Sequence, residues 1–168
     1  MTSLTLVAEI LPVIISILGI IYGAWAASWV LKQDAGTDKM REISNLIAEG
    51  AKTFLLREYK TILPIGVVLA ILILGAYYLG FSGNALVAVL AMVSFALGAL
   101  GSGMAGYIGM YVTTRSASRT AQAASKAGLS GALAVSYRAG SVMGTMLASI
   151  ALLIVSILFI IYRSVTSL

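Results

Sequence analysis

The charged chemistry of this 168-residue chain rests on six carboxylates, Glu9, Asp34, Asp38, Glu42, Glu49 and Glu58, and eleven lysines and arginines. Histidine and cysteine are absent. That removes a Ser/His/Asp triad, thiol catalysis, disulfides and any Cys/His metal site. A phosphoryl-transfer centre with several Mg²⁺ ions needs carboxylates gathered in one place to hold the metal against phosphate oxygens. The six here are scattered, and none falls inside an apolar run. No catalytic, cofactor-binding or metal site is therefore expected in this chain. Glu9, just before Pro12, is the nearest approach to an embedded carboxylate, and its place at the edge of a run suits an interfacial position better than an ion site.

The basic residues are more informative. Arg115 and Arg119 stand four apart and share a helix face, surrounded by Thr113, Thr114, Ser116, Ser118 and Thr120. Two roles fit them: anchoring to lipid head groups by long side chains, or docking against other helix ends through carboxylate pairs. With Arg138 and the charged residues Glu49, Arg57 and Glu58 they form a set of candidate interface residues. A net charge of +5 in a soluble chain would suggest nucleic acid. These arginines follow directly on an apolar run, so nucleic acid is not expected as a partner.

The elements that carry these side chains are set by hydropathy. The chain is 60% hydrophobic and 10% charged, with a mean hydropathy of +1.02. Four apolar runs, 11–31, 62–79, 85–112 and 139–162, approach or exceed the roughly 20 residues needed to cross a ~30 Å hydrocarbon core. The expected fold is all-α, a single integral-membrane four-helix bundle over 1–168 with the lipid bilayer as its surroundings. A signal peptide is a poor reading of the first run, which has no positive region before it. Lys32, Lys39, Arg41, Lys52, Arg57 and Lys60 lie between runs one and two; Arg115, Arg119, Lys126 and Arg138 lie between runs three and four. Only Arg163 falls elsewhere. The positive-inside rule puts both basic segments in the cytoplasm and both termini outside, most simply in a prokaryotic cell membrane. The turn at 80–84 then lies outside. Trp25, Trp29, Tyr77 and Tyr78 are placed either as interfacial anchors or as bundle filling.

Residues 38–60 should form a helix that continues into run two. Ile43, Leu46, Ile47, Phe54 and Leu55 recur at helical spacing, Thr37 or Asp38 can cap its start, and Asp38–Arg41 and Glu49–Lys52 can pair across one turn. This extension is either docked scaffold or a source of charges for a working cavity. Pro64 can kink it where it enters the membrane. Small residues recur every four positions as Gly19, Gly23 and Ala27; as Ser94, Gly98, Ser102 and Gly106 beside Gly101, Ala105 and Gly109; and as Ala132, Ser136, Gly140, Gly144 and Ala148. Such stripes let helix backbones approach closely in lipid, so Gly19, Gly23, Gly98, Ser102, Gly106, Gly140 and Gly144 are expected to be packing positions. A phosphate cradle at "GSGMAG" would need a preceding strand and free amides at a helix start, and neither is expected there.

The stretches "REISNLIAEGAKTFLLREYK", "GSGMAGYIGMYVTTRSASRTAQAA" and "ALAVSYRAGSVMG", in this order, resemble the membrane-integral inorganic pyrophosphatases, the pyrophosphate-energised proton or sodium pumps. The resemblance covers most of 39–144 and looks like the N-terminal four-span portion. Such pumps are considerably longer homodimers, whose aspartate-rich segments bind Mg²⁺ and pyrophosphate and whose later spans carry the ion gate. The resemblance thus implies a module that is not catalytic by itself, with Mg²⁺ and the remaining spans or subunits belonging to the complete pump. It fits a fragment, one chain of a split pump or a degenerate relative. Two other readings are a non-catalytic membrane scaffold and a small four-span transporter, the latter with only Glu9, the arginines and scattered hydroxyls for a path. A rotary-ATPase ring subunit would need a carboxylate in the middle of run four, which has none.

Overall fold

In hydrocarbon no backbone amide finds water, so apolar segments of this length close their hydrogen bonds internally as helices. The computed structural model describes residues 3–80 and 84–166, and among them are three helices: α1 (Ser3–Leu31), α2 (Asp38–Gly80) and α3 (Ala85–Thr166). All three are long and apolar enough to cross a bilayer. The four apolar runs therefore lie on three elements, because runs three and four both belong to α3, which is two helices joined across a kink at Gly128. The segment between those runs is rich in alanine and hydroxyl residues and free of proline. Nothing stops the helix until Gly128, whose φ of 64° and ψ of −152° lie where essentially only glycine goes.

At Gly128 the chain doubles back, and the arms 85–127 and 129–166 lie antiparallel along their length. Ser94 bonds Tyr162 near the open end. A Cβ on Gly101 would run into Ile150 and Ile154, and one on Gly109 would stand 2.6 Å from Met143 Cγ. α1 packs on the second arm, where Gly19 abuts Ser149 and Gly23 abuts Met146. α2 packs on α3 from another side and does not touch α1. The buried core is small: Ala26 and Val30 of α1, Val112 of the first arm, and Val135, Ala139, Val142 and Met146 of the second. Many large apolar side chains face outward instead, among them Leu18, Ile71 and Leu72 at about 60% exposure. Exposed apolar surface on this scale is what lipid or further apolar helices would cover.

α2 carries its expected cap at Thr37, and α3 is capped by Asn84. Thr37 Oγ1 accepts from the Met40 amide at 3.4 Å, and Asn84 Oδ1 accepts from the amides of Leu86 and Val87 at 3.1 and 3.4 Å. Most of the turn expected at 80–84 lies outside the described residues. α2 continues as one helix through Pro64.

Candidate functional site

The richest polar geometry gathers at one end of the molecule, where α1 ends, α2 begins and α3 turns. Arg119 projects from the first arm of α3 onto the last residue of α1. Its Nε and Nη2 both donate to the Leu31 carbonyl, at 3.2 and 2.9 Å, and Nη1 donates to the Arg115 carbonyl at 2.6 Å. The last carbonyls of a helix have no intrahelical donor and carry its negative pole, so a guanidinium is a strong cap. Partial burial, and then the neighbouring Arg115 charge, lower the Arg119 pKa, yet the group stays protonated. Within this chain Arg119 thus meets a helix-end carbonyl and no carboxylate. Arg115 stands over Tyr111, its Cζ 3.7 Å from the ring centroid, and Arg138 over Trp29 at 3.8 Å with Trp25 at 5.8 Å. Trp29 packs against the core while Trp25 is 54% exposed, so the two tryptophans divide between filling and surface.

Beyond Arg119, Asp34 ties the α1–α2 connection to the tip of α3. Its carboxylate accepts from Lys126 Nζ at 2.7 Å, from Gln122 Nε2 at 3.1 Å and from the Gly36 amide at 2.9 Å. Gly36 takes φ 82° to close this turn. The Lys126 bond first, then those from Gly36 and Gln122, hold the Asp34 carboxyl well below the usual carboxylate range. At the opposite end Glu9, largely buried, pairs with Arg163 of the second arm. This ties the first helix to the last and gives Glu9 a structural partner.

The α2 candidates sit apart from these arginines. Glu49 and Arg57 are exposed and Glu58 is half-buried. Among the described residues the ion pairs are Asp38–Arg41 at 4.0 Å, Asp34–Lys126 and Glu9–Arg163, so Glu49 and Lys52 do not pair. α2 is held to α3 by Ser44 Oγ donating to the Thr114 carbonyl at 3.3 Å and Tyr59 Oη donating to the Gly103 carbonyl at 2.7 Å. The candidate interface residues thus lie on three helix faces and do not converge. The packing positions also divide. Gly19 and Gly23 are close-packed and a Cβ on Gly106 would stand 3.8 Å from Tyr59 Oη, but Gly98, Gly140 and Gly144 face open space and Ser102 is exposed. Inside the hairpin the close approach is made by Gly101 and Gly109, because these rather than the Gly98 stripe face the second arm.

The carboxylates do not suit a metal such as Mg²⁺. Asp34, Asp38 and Glu9 each have a cationic partner in a different place, the other three are strung along α2, and no three converge among the described residues. Asp34, Gln122, Lys126, Gly128 and the Glu9–Arg163 pair were not singled out by spacing. Their partners are roughly ninety or more residues distant in the chain or, for Gly128, depend on a backbone angle. The one available signal was Asp-Ala-Gly at 34–36, a turn sequence.

Three long apolar helices, one of them doubling back at Gly128, define an integral membrane protein of the polytopic helical class. The family described as inorganic H⁺ pyrophosphatase matches residues 17–168, and the chain belongs to it. It is 53% identical over 156 residues to the K⁺-insensitive pyrophosphate-energized proton pump of Pyrobaculum aerophilum, covering 93% of this chain and 21% of that protein. With the pump of the same description from Methanosarcina mazei it shares 38% over 146 residues, 87% of this chain and 20% of the relative. Pyrophosphate-energized membrane proton pump 3 of Arabidopsis thaliana is 32% identical over 155 residues, 87% and 19% of the two chains. The chain spans about a fifth of the length of these curated relatives.

Proposed function

We propose that the chain is the N-terminal membrane module of a pyrophosphate-energised cation pump, bracing the spans that hydrolyse pyrophosphate and move the ion. The observation that carries this reading is the 53% identity that runs across nearly the whole chain while covering only about a fifth of the related pump. In this reading the two arms of α3 are separate spans, which makes four with α1 and α2. The charged first half of α2, 38–60, is reached by cytoplasmic water, as is the α3 tip, and both termini lie outside. Mg²⁺, pyrophosphate and the ion gate are handled by the other spans, and homodimer formation is a property of the complete pump. The basic end, with Arg119 locking α1 to α3, keeps the module rigid where it meets those spans.

The test is hydrolysis. Purified into lipid vesicles, the chain alone should release no orthophosphate from Mg-pyrophosphate above empty vesicles, and clear turnover would show that it carries a centre of its own. Sidedness is read in the same vesicles or in cells. The chain has no native cysteine, so Ser125→Cys should react from the cytoplasmic side and Leu79→Cys from the outside. The reverse pattern contradicts the proposed orientation.

A further inference from the structure

We infer that α2 between Glu49 and Lys60 lies at bilayer depth with one face in water, as the wall of an aqueous recess that opens at the basic end of the molecule. The inference needs only the membrane-spanning reading and is independent of pyrophosphate chemistry. It follows from matching levels across the packed helices. Tyr59 bonds the carbonyl of Gly103. Gly101 faces Ile150 and Ile154, and Gly109 faces Met143, so Gly103 stands level with about Ile150. Ser149 in turn abuts Gly19, near the middle of the uncharged run 11–31. Arg57, Glu58 and Lys60 therefore stand level with the middle of a helix that exposes Leu18 and Ile21 by about 60%. The second α2 contact, Ser44 to Thr114, keeps the same alignment toward the basic end.

The faces of α2 at this depth are sorted by chemistry. Leu55 and Ser44 are buried, with Ala48 and Ala51 half-buried between them, and this stripe meets α3. Ile43, Ile47, Phe54 and Ile65, at spacings of four, seven and eleven, share one exposed flank and suit lipid. Glu42, Glu49 and Lys60, at spacings of seven and eleven, share with Thr53 the face turned away from α3, all exposed, with exposed Leu46 and Leu56 at its borders. Among the described residues Glu49, Lys52, Arg57 and Lys60 enter no ion pair. Unpaired charges in hydrocarbon are costly, and those found at such depth face a water-filled cavity. The charged face is continuous with Asp38, four residues before Glu42 at the start of α2, so water has a polar path from that end.

The test places nitroxide labels on single cysteines in the full chain reconstituted in vesicles and compares accessibility to dissolved oxygen, which favours lipid, with that to a water-soluble nickel chelate. Lys60→Cys and Thr53→Cys should show a nickel-to-oxygen ratio several-fold above that of Phe54→Cys, on the same helix at similar depth, and of Leu18→Cys on α1. High nickel accessibility at all four would overturn the inference by placing this level outside the bilayer. Oxygen preference at Lys60 and Thr53, or shielding of both from either reagent, would overturn it by putting lipid or protein where water is inferred. Thr53 serves as the readout if Lys60→Cys fails to reconstitute.

Discussion

Arg119 holds the end of α1 through a carbonyl that nothing else in its helix can satisfy. Arg119→Ala should cost about 1.5–3 kcal/mol, the range for a charge-assisted hydrogen bond, and Arg119→Lys should recover part of it because lysine lacks the planar fork. Unfolding in mixed detergent micelles measures both, and an unchanged midpoint for the alanine variant would show that the cap contributes nothing. Asp34 adds a pH dependence of known sign. Its folded pKa lies below the unfolded one, so its contribution is complete above the ordinary aspartate value and is lost as the pH falls through the folded value. The Gly36 amide should therefore exchange faster in acid, relative to its intrinsic rate. Asp34→Ala, which removes the acceptor, should show fast exchange already at neutral pH, with little further change on acidification. The type and spacing of Arg115 and Arg119 marked the basic end in the sequence, but the acceptor of Arg119 lies on another helix and no spacing encodes it.

At the scale of elements, α3 is decided by one glycine and two close approaches. Gly128→Ala puts a Cβ into a conformation reserved for glycine and should destabilise the hairpin by about 1–3 kcal/mol. Gly109→Leu should force the arms apart, since even a Cβ would stand 2.6 Å from Met143 Cγ; overpacking of this kind costs about 1–3 kcal/mol or more. Gly98→Leu, which meets open space, should lie within about 0.5 kcal/mol of the parent. Equal effects of the two leucine substitutions in the same unfolding assay would contradict the packing described. Length and hydropathy made the apolar helices legible, and four-residue spacing made the small stripes legible. Which of two adjacent stripes on α3 turns inward depends on the phase of a hairpin set at Gly128. Periodicity alone does not fix it. The continuity of α3 through 113–127 was likewise hidden, because a polar stretch between apolar runs reads equally well as loop or as helix.

At the scale of the whole molecule the open surface matters as much as the packed one. α1 and α2 do not touch, the core is small, and Gly98, Gly140 and Gly144 face outward without partners in this chain. A helix of 43 residues is about 64 Å long at 1.5 Å per residue, roughly twice a hydrocarbon core, so α2 must extend beyond the bilayer. These features suit a module that rests against further spans, and they give Gly98→Leu and Gly140→Leu a distinctive signature: near-parental stability of the chain, but weakened association with the rest of a pump. The most direct measurement is complementation. The Pyrobaculum aerophilum pump, stripped of the fifth that matches this chain, is co-expressed with it, and pyrophosphate-driven acidification of inverted membrane vesicles is followed. Acidification that returns with the chain, and is reduced by Gly98→Leu, is the predicted result; vesicles in which both partners are present and inserted but pyrophosphate drives no acidification would contradict the proposed role.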